Sequence, residues 1–74
     1  MLIVNKIKMA IQNFAEKCPH KPAIMFLTTK AIKNLSKEEL KEIWLFAKAR
    51  FITIHIVGKN DVYELNKEGK LELI

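Results

Sequence analysis

Apolar side chains recur at intervals of three and four residues in the first part of the chain, which is the spacing of one face of an amphipathic helix. This stripe predicts a helix that ends before Pro19, because the residue before a proline is displaced from the helical conformation. Its members are Val4, Ile7, Ile11, Phe14 and Cys18. We therefore expect one wall of the core here, with Cys18 as a buried, unreactive thiol.

A second helix is predicted to begin at Ser36. Ser36 and Glu39 have the spacing of a capping box, in which the serine oxygen accepts a hydrogen bond from a free backbone amide and the glutamate reaches back. The predicted helix runs to about Arg50, and Leu45 falls on its polar side. Its predicted apolar face consists of Leu40, Ile43, Trp44, Ala47 and Phe51.

The remaining apolar segments are predicted to be strands. Residues 23–28 lack polar alternation, which is typical of a strand covered on both faces. Residues 52–57 alternate between apolar and more polar positions, as in a strand with one buried face. Turns at residues 58–61 and 66–69 then reverse the chain twice, which predicts a three-stranded antiparallel meander.

The order of these elements predicts an α+β fold, a two-layer sandwich with helices on one face of a sheet. The order is helix–strand–helix–three-stranded antiparallel meander, in a single domain of residues 1–74. A right-handed crossover places the first strand parallel to the second. Residues 29–35 fit either a loop or one helical turn. In the meander, the predicted register sets Val57 opposite Val62 and Leu65 opposite Leu71.

Residues 62–71, with Tyr63, Leu65 and the pair Gly69–Lys70, resemble the end of many winged-helix regulators. Those proteins often close a wing with a tyrosine, a leucine, a threonine and a lysine–glycine pair, and Asn66 stands here in place of the threonine. The resemblance implies a winged-helix variant as an alternative fold. In that variant the second helix, the recognition helix and the wing tip are residues 29–35, 36–50 and 58–61.

Composition indicates a folded, soluble protein. Half of the residues are hydrophobic, which excludes the disordered class. The apolar run at residues 23–27 is far too short to cross a bilayer, and the N-terminal apolar residues are interrupted too early by Asn5 and Lys6 for a signal peptide. The single cysteine, Cys18, favours a reducing compartment. We expect a cytoplasmic protein, or a viral one that acts inside a cell.

Positive charge is concentrated in the first half of the chain. Residues 1–35 carry six lysines and one acid, a net charge of +5, whereas residues 36–74 carry seven basic and seven acidic side chains. Lysines grouped on one surface can bind phosphates, and the alternative is that they only keep the surface solvated. We expect contacts to DNA or RNA from the first half, although no aromatic side chains interleave with its lysines. The candidate nucleic-acid-binding residues are Lys6, Lys17, His20, Lys21, Lys30 and Lys33.

Other candidate chemistry is sparse. The predicted register places His55, Glu64 and Glu72 side by side on the outer face of the sheet, either as a proton or metal site or as a solvated histidine–glutamate pair. Cys18 and His20 supply a thiol and an imidazole, but the neighbouring sequence lacks the further ligands of a zinc site and the base of a nucleophile. We therefore expect neither an enzyme, nor a metal site, nor a cofactor.

Apolar positions outside the predicted core point to self-association. Leu45 projects from the polar side of its helix, and the outer sheet face forms an uncovered patch. We expect a homodimer or other homo-oligomer and no membrane contact. The predicted interface residues are Leu45, Val57, Val62 and Ile74. The first functional hypothesis is a small basic nucleic-acid-associated protein, and the alternative is a homo-oligomerising interaction module without nucleic-acid binding.

Overall fold

The structure, a computed structural model, describes residues 2–74. In chain order its elements are α1 (Ile3–Lys17), β1 (Ala23–Thr28), α2 (Thr29–Ile32), α3 (Lys37–Lys48), β2 (Ile52–Val57), β3 (Val62–Leu65) and β4 (Leu71–Leu73). No helix in this part of the chain combines the length and the apolar character needed to cross a membrane.

The four strands form one mixed sheet in the order β1-β2-β3-β4. β1 runs parallel to β2, while β3 is antiparallel to both β2 and β4. Val57 lies opposite Val62 and Leu65 opposite Leu71, so the predicted register of the last three strands is confirmed. The α+β class is also confirmed. The parallel placement of the first strand beside the second is also as predicted. The predicted architecture does not match exactly, because the sheet has four strands in a mixed arrangement and a short helix, α2, stands between β1 and α3.

The core lies between the helices and one face of the sheet. β2 supplies its centre, since Ile52, Ile54 and Ile56 are fully buried. Ile11 of α1 and Ile43 of α3 are the fully buried isoleucines of the helix layer. The other buried hydrophobic side chains are Val4, Ile7, Ile32, Ala47 and Leu65. No polar or charged side chain is buried among residues 2–74.

β1 is covered on one face only, which corrects the prediction of a strand buried on both sides. Met25 and Leu27 pack against the core, but Ile24 and Phe26 project from the other face and are exposed. The reason is the number of covering elements: the two long helices, α1 and α3, cover one face, and no element of the described chain covers the other. An uninterrupted apolar run therefore marks a half-exposed strand here.

The winged-helix alternative is wrong for this chain. The strand at residues 23–28 is six residues long and pairs in parallel with β2 along its whole length. The segment that would form the second helix contains only the four-residue α2. α3, which would be the recognition helix, packs its apolar face against the sheet through Ile43 and Ala47.

The predicted start of α3 is confirmed. Ser36 Oγ accepts a hydrogen bond from Glu39 N at 3.1 Å, and Glu39 Oε1 accepts one from Ser36 N at 2.9 Å. Beyond the last turn, the prediction that Phe51 joins the apolar face is wrong. Phe51 is 68% exposed and has a φ of 60°, a left-handed conformation that ends the helix and turns the chain into β2.

Gly69 determines how the β3–β4 turn contacts α3. It is buried and has a φ of 77°, the left-handed conformation expected of this turn. A Cβ atom at this position would lie 2.5 Å from Lys37 O, so no side chain fits without moving the backbone. At Gly58, in the β2–β3 turn, the nearest atoms would be at an ordinary contact distance of 3.4 Å.

We expect Gly69→Ala to lower the free energy of unfolding by roughly 2 kcal/mol or more, because it adds left-handed strain to a backbone clash. Gly58→Ala, the matched control, should change it by less than about 0.5 kcal/mol. Urea denaturation of both variants measures the difference. Equal stabilities would contradict the close approach of the turn to α3.

We expect Phe51→Gly to raise the free energy of unfolding by about 0.5–1 kcal/mol, because glycine adopts the left-handed conformation without a steric penalty and the removed side chain is mostly exposed. Phe51→Ala keeps the backbone penalty, so it should give no such gain. Thermal denaturation compares the two. A less stable glycine variant would show that the phenyl ring makes a stabilising contact.

Candidate nucleic-acid interface

The position of α1 decides which side of the molecule carries the charge. Lys8 Nζ of α1 lies 3.0 Å from Glu42 Oε1, on one flank of α3. Gly69 of the β3–β4 turn approaches Lys37 and Lys41. Because a helix rotates by about 100° per residue, these two lysines lie on the flank of α3 opposite to Glu42. α1 therefore lies on the side of α3 away from this turn, which is the β1 side of the sheet.

The six predicted basic residues are distributed around β1. Lys6 and Lys17 lie on the flank of α1 opposite to Lys8, and this flank faces away from α3. The others precede β1 in the connection from α1 or follow it in and after α2. All six thus lie either on this flank of α1 or within five residues of an end of β1, and we call them the basic edge: Lys6, Lys17, His20, Lys21, Lys30 and Lys33.

The side chains of the basic edge are exposed and unpaired with acids in the described chain. The ion pairs of residues 2–74 are Lys8–Glu42, Lys41–Glu38 and His55–Glu64, and none includes a member of the basic edge. The pairing of Lys8 explains why it does not belong to this group. Positive charge on the basic edge is therefore not neutralised by a neighbouring carboxylate.

Arg50, the only arginine, is engaged inside the protein. Its guanidinium carbon lies 3.5 Å from the centre of the Phe46 ring. Its Nε donates a 2.6 Å hydrogen bond to Gln12 Oε1, and Nη1 donates a 2.9 Å bond to Phe46 O. Arg50 therefore joins the end of α3 to α1, and the only guanidinium of the chain is engaged by the protein itself.

Next to the basic edge, the uncovered sheet face presents an aromatic side chain that sequence reasoning missed. Phe26 is 59% exposed, and its ring centre lies 5.6 Å from that of His55 in an edge-to-face arrangement. The prediction that β1 is covered on both faces concealed it. The number of long helices could have indicated that β1 is exposed on one face, since two helices cover only one face of a four-stranded sheet.

The predicted row on the outer sheet face is present. His55 lies opposite Glu64, and Glu64 lies opposite Glu72. His55 Nε2 is 3.8 Å from Glu64 Oε1, at the outer limit of an ion pair. Residues 2–74 contain no group of three or more His, Cys, Asp or Glu side chains placed to hold a metal ion, and the row forms a histidine–glutamate pair with a second glutamate beside it.

The predicted interface residues separate into two places. Val57 lies opposite Val62, and Ile74 N donates a hydrogen bond to Val62 O, so these three side chains form a continuous apolar patch on the uncovered sheet face. Ile74 is 66% exposed. Leu45 is 62% exposed but lies on the outer side of α3, in the other layer. The structure therefore unites three of the four predicted residues.

Cys18 lies outside the helix whose apolar stripe was predicted to include it. It follows the last residue of α1 in an extended conformation and is only partly buried. Its Sγ donates a 3.1 Å hydrogen bond to His20 O, which places the thiol against the backbone and not against the imidazole of His20. The prediction of a fully buried thiol is corrected, because the connection to Pro19 ends the helix one residue earlier.

No protein-family model, curated protein or solved structure matches the chain.

Proposed function

We propose that the protein is a small, non-enzymatic, nucleic-acid-associated protein that contacts phosphates through the basic edge. The observation that carries the proposal is the lack of neutralising partners: six exposed basic side chains on α1 and near the two ends of β1 form no ion pair with a described carboxylate. Phosphate binding needs several such charges on one side of a protein. Cys18, which has no disulfide partner, supports action in a reducing compartment such as the cytoplasm.

The chemistry of the basic edge favours binding without strong sequence readout. Its members are five lysines and a histidine, and lysine interacts with phosphate as a point charge. Arg50, which alone offers a planar fork for a guanine edge, is bound to Phe46 and Gln12. We therefore expect similar affinities for nucleic acids of different sequence and a strong dependence on salt.

Removal of lysines from the basic edge should weaken this salt dependence. We expect the triple variant with Lys17→Gln, Lys21→Gln and Lys30→Gln to have a shallower negative slope of log K against log salt. The magnitude of the slope should decrease by about 0.7–0.9 for each phosphate that is no longer neutralised. The matched control changes the exposed Lys59, Lys67 and Lys70 to Gln, which removes the same charge from the turns of the sheet. Fluorescence anisotropy with a labelled oligonucleotide across a salt series measures both.

An equal decrease of slope in the two triple variants would show that net charge, and not the basic edge, governs binding. An absence of binding by the wild-type protein at low salt would refute the proposed function.

A second candidate function is homo-oligomerisation without nucleic-acid binding. It is supported by the apolar patch of Val57, Val62 and Ile74, which crosses three neighbouring strands on the uncovered face. A domain of this size buries a small core, and a second copy on this face would add to the buried apolar area.

Two single variants distinguish the possible surfaces for self-association. We expect Ile74→Glu to convert an oligomer to the monomer, because it places a charge in the apolar patch, whereas Leu45→Glu should leave the oligomer intact. Light scattering of both variants and the wild type measures their mass. A monomeric wild type excludes this candidate, and dissociation by Leu45→Glu alone would place the interface on α3.

A further inference from the structure

Phe26 occupies the part of the uncovered sheet face that adjoins the basic edge. Its ring contacts His55 on β2 in an edge-to-face geometry, and more than half of its surface is exposed. Ile24 and Thr28 flank it along β1, and Thr53 lies opposite Ile24 on β2. These neighbours leave most of the ring exposed, so that it is accessible to a planar ligand.

Charge lies at both ends of the strand that carries Phe26. Lys21 precedes β1 and Lys30 follows it, while all residues of β1 itself are uncharged. A further positive group reaches the same face from α3, because Lys48 Nζ donates a 3.0 Å hydrogen bond to Thr53 Oγ1. An aromatic ring between positive groups is the combination found in single-strand binding surfaces.

The opposite half of the uncovered face carries negative charge. Glu64 on β3 and Glu72 on β4 lie side by side there, beyond His55. Phosphates are repelled by these carboxylates and attracted by the basic edge. A polyanion on this face would therefore be drawn towards β1 and away from β3 and β4.

We infer that the basic edge binds single-stranded nucleic acid, with a base stacked on Phe26. The inference rests on the proposed function, because it assigns the class of nucleic acid that the basic edge takes. The physical reason is access to the base: a single strand presents the flat faces of its bases, whereas a duplex hides them in its stack. Stacking on one ring is tolerant of sequence, in agreement with the internal role of Arg50.

The test compares two single-stranded probes with equal numbers of phosphates: an oligothymidine, and an oligonucleotide of the same length whose sugars carry no bases. Anisotropy at low salt should show roughly 5- to 150-fold tighter binding of oligothymidine by the wild-type protein, the range expected for one base stacked on an aromatic ring. Phe26→Ala should abolish this difference and leave the affinity for the abasic probe unchanged. Phe26→Tyr keeps a ring, so it should retain the difference.

Leu45→Ala is the matched control, since Leu45 is exposed to a similar extent on α3, and it should leave both affinities unchanged. Circular dichroism verifies that each variant is folded, and Phe26→Tyr provides a result even where Phe26→Ala unfolds. Equal affinity of the wild type for the two probes would overturn the inference while the phosphate contacts of the proposed function stand. Failure of both probes to bind at low salt would refute the two proposals together.

A protein occupant of the same face gives a different outcome. A wild-type dimer that becomes monomeric on Phe26→Ala, with equal affinity for the two probes, would show that a second copy covers Phe26, and it would overturn the inference.

Discussion

The burial of one isoleucine row on β2 is the interaction on which the rest of the structure depends. Ile52, Ile54 and Ile56 lose almost all exposure to water, and each such side chain contributes about 1.5–3 kcal/mol when it is buried. β2 is central because β1 and β3 pair with its two edges. α1 and α3 complete the enclosure from one side, with Ile11 and Ile43 in the same core. A chain of this length can enclose only a small core.

Concentration of the core on one side of the sheet leaves the other side for interaction. That side is not uniform. Near β1 it combines Phe26 with positive charge at the strand ends, and beyond His55 it carries Glu64 and Glu72 with an apolar patch at the far end. The division follows the chain, because the basic half of the sequence supplies β1 and the neutral half supplies β2 to β4. The uneven distribution of charge along the sequence therefore gives the sheet a basic side at β1 and an acidic side at β3 and β4.

Local signals predicted a large part of this fold. The Ser36 capping box, the left-handed glycine at position 69 and the pairing of Val57 with Val62 depend on residues close in sequence, and all three are present. The errors concern features set by distant elements. Whether β1 is covered depends on where the helices pack, and Phe51 leaves the apolar face because the chain must turn into β2. The side of α3 on which α1 packs, and with it the position of Lys6 and Lys17, is likewise specified by no local pattern.

No strand within residues 2–74 pairs with the outer edge of β1, and this has a consequence for association between copies. Ala23 N donates to Phe51 O, so alternate residues of β1 direct their backbone groups towards β2, while Ile24, Phe26 and Thr28 direct theirs outward. Such an uncharged edge is a template for cross-strand association. Two copies that approached antiparallel along it would bring Lys21 of one near Lys30 of the other, and the repulsion between them would oppose pairing. Lys21 and Lys30 would therefore oppose association along this edge, and salt or neutralisation of their charge would weaken that opposition.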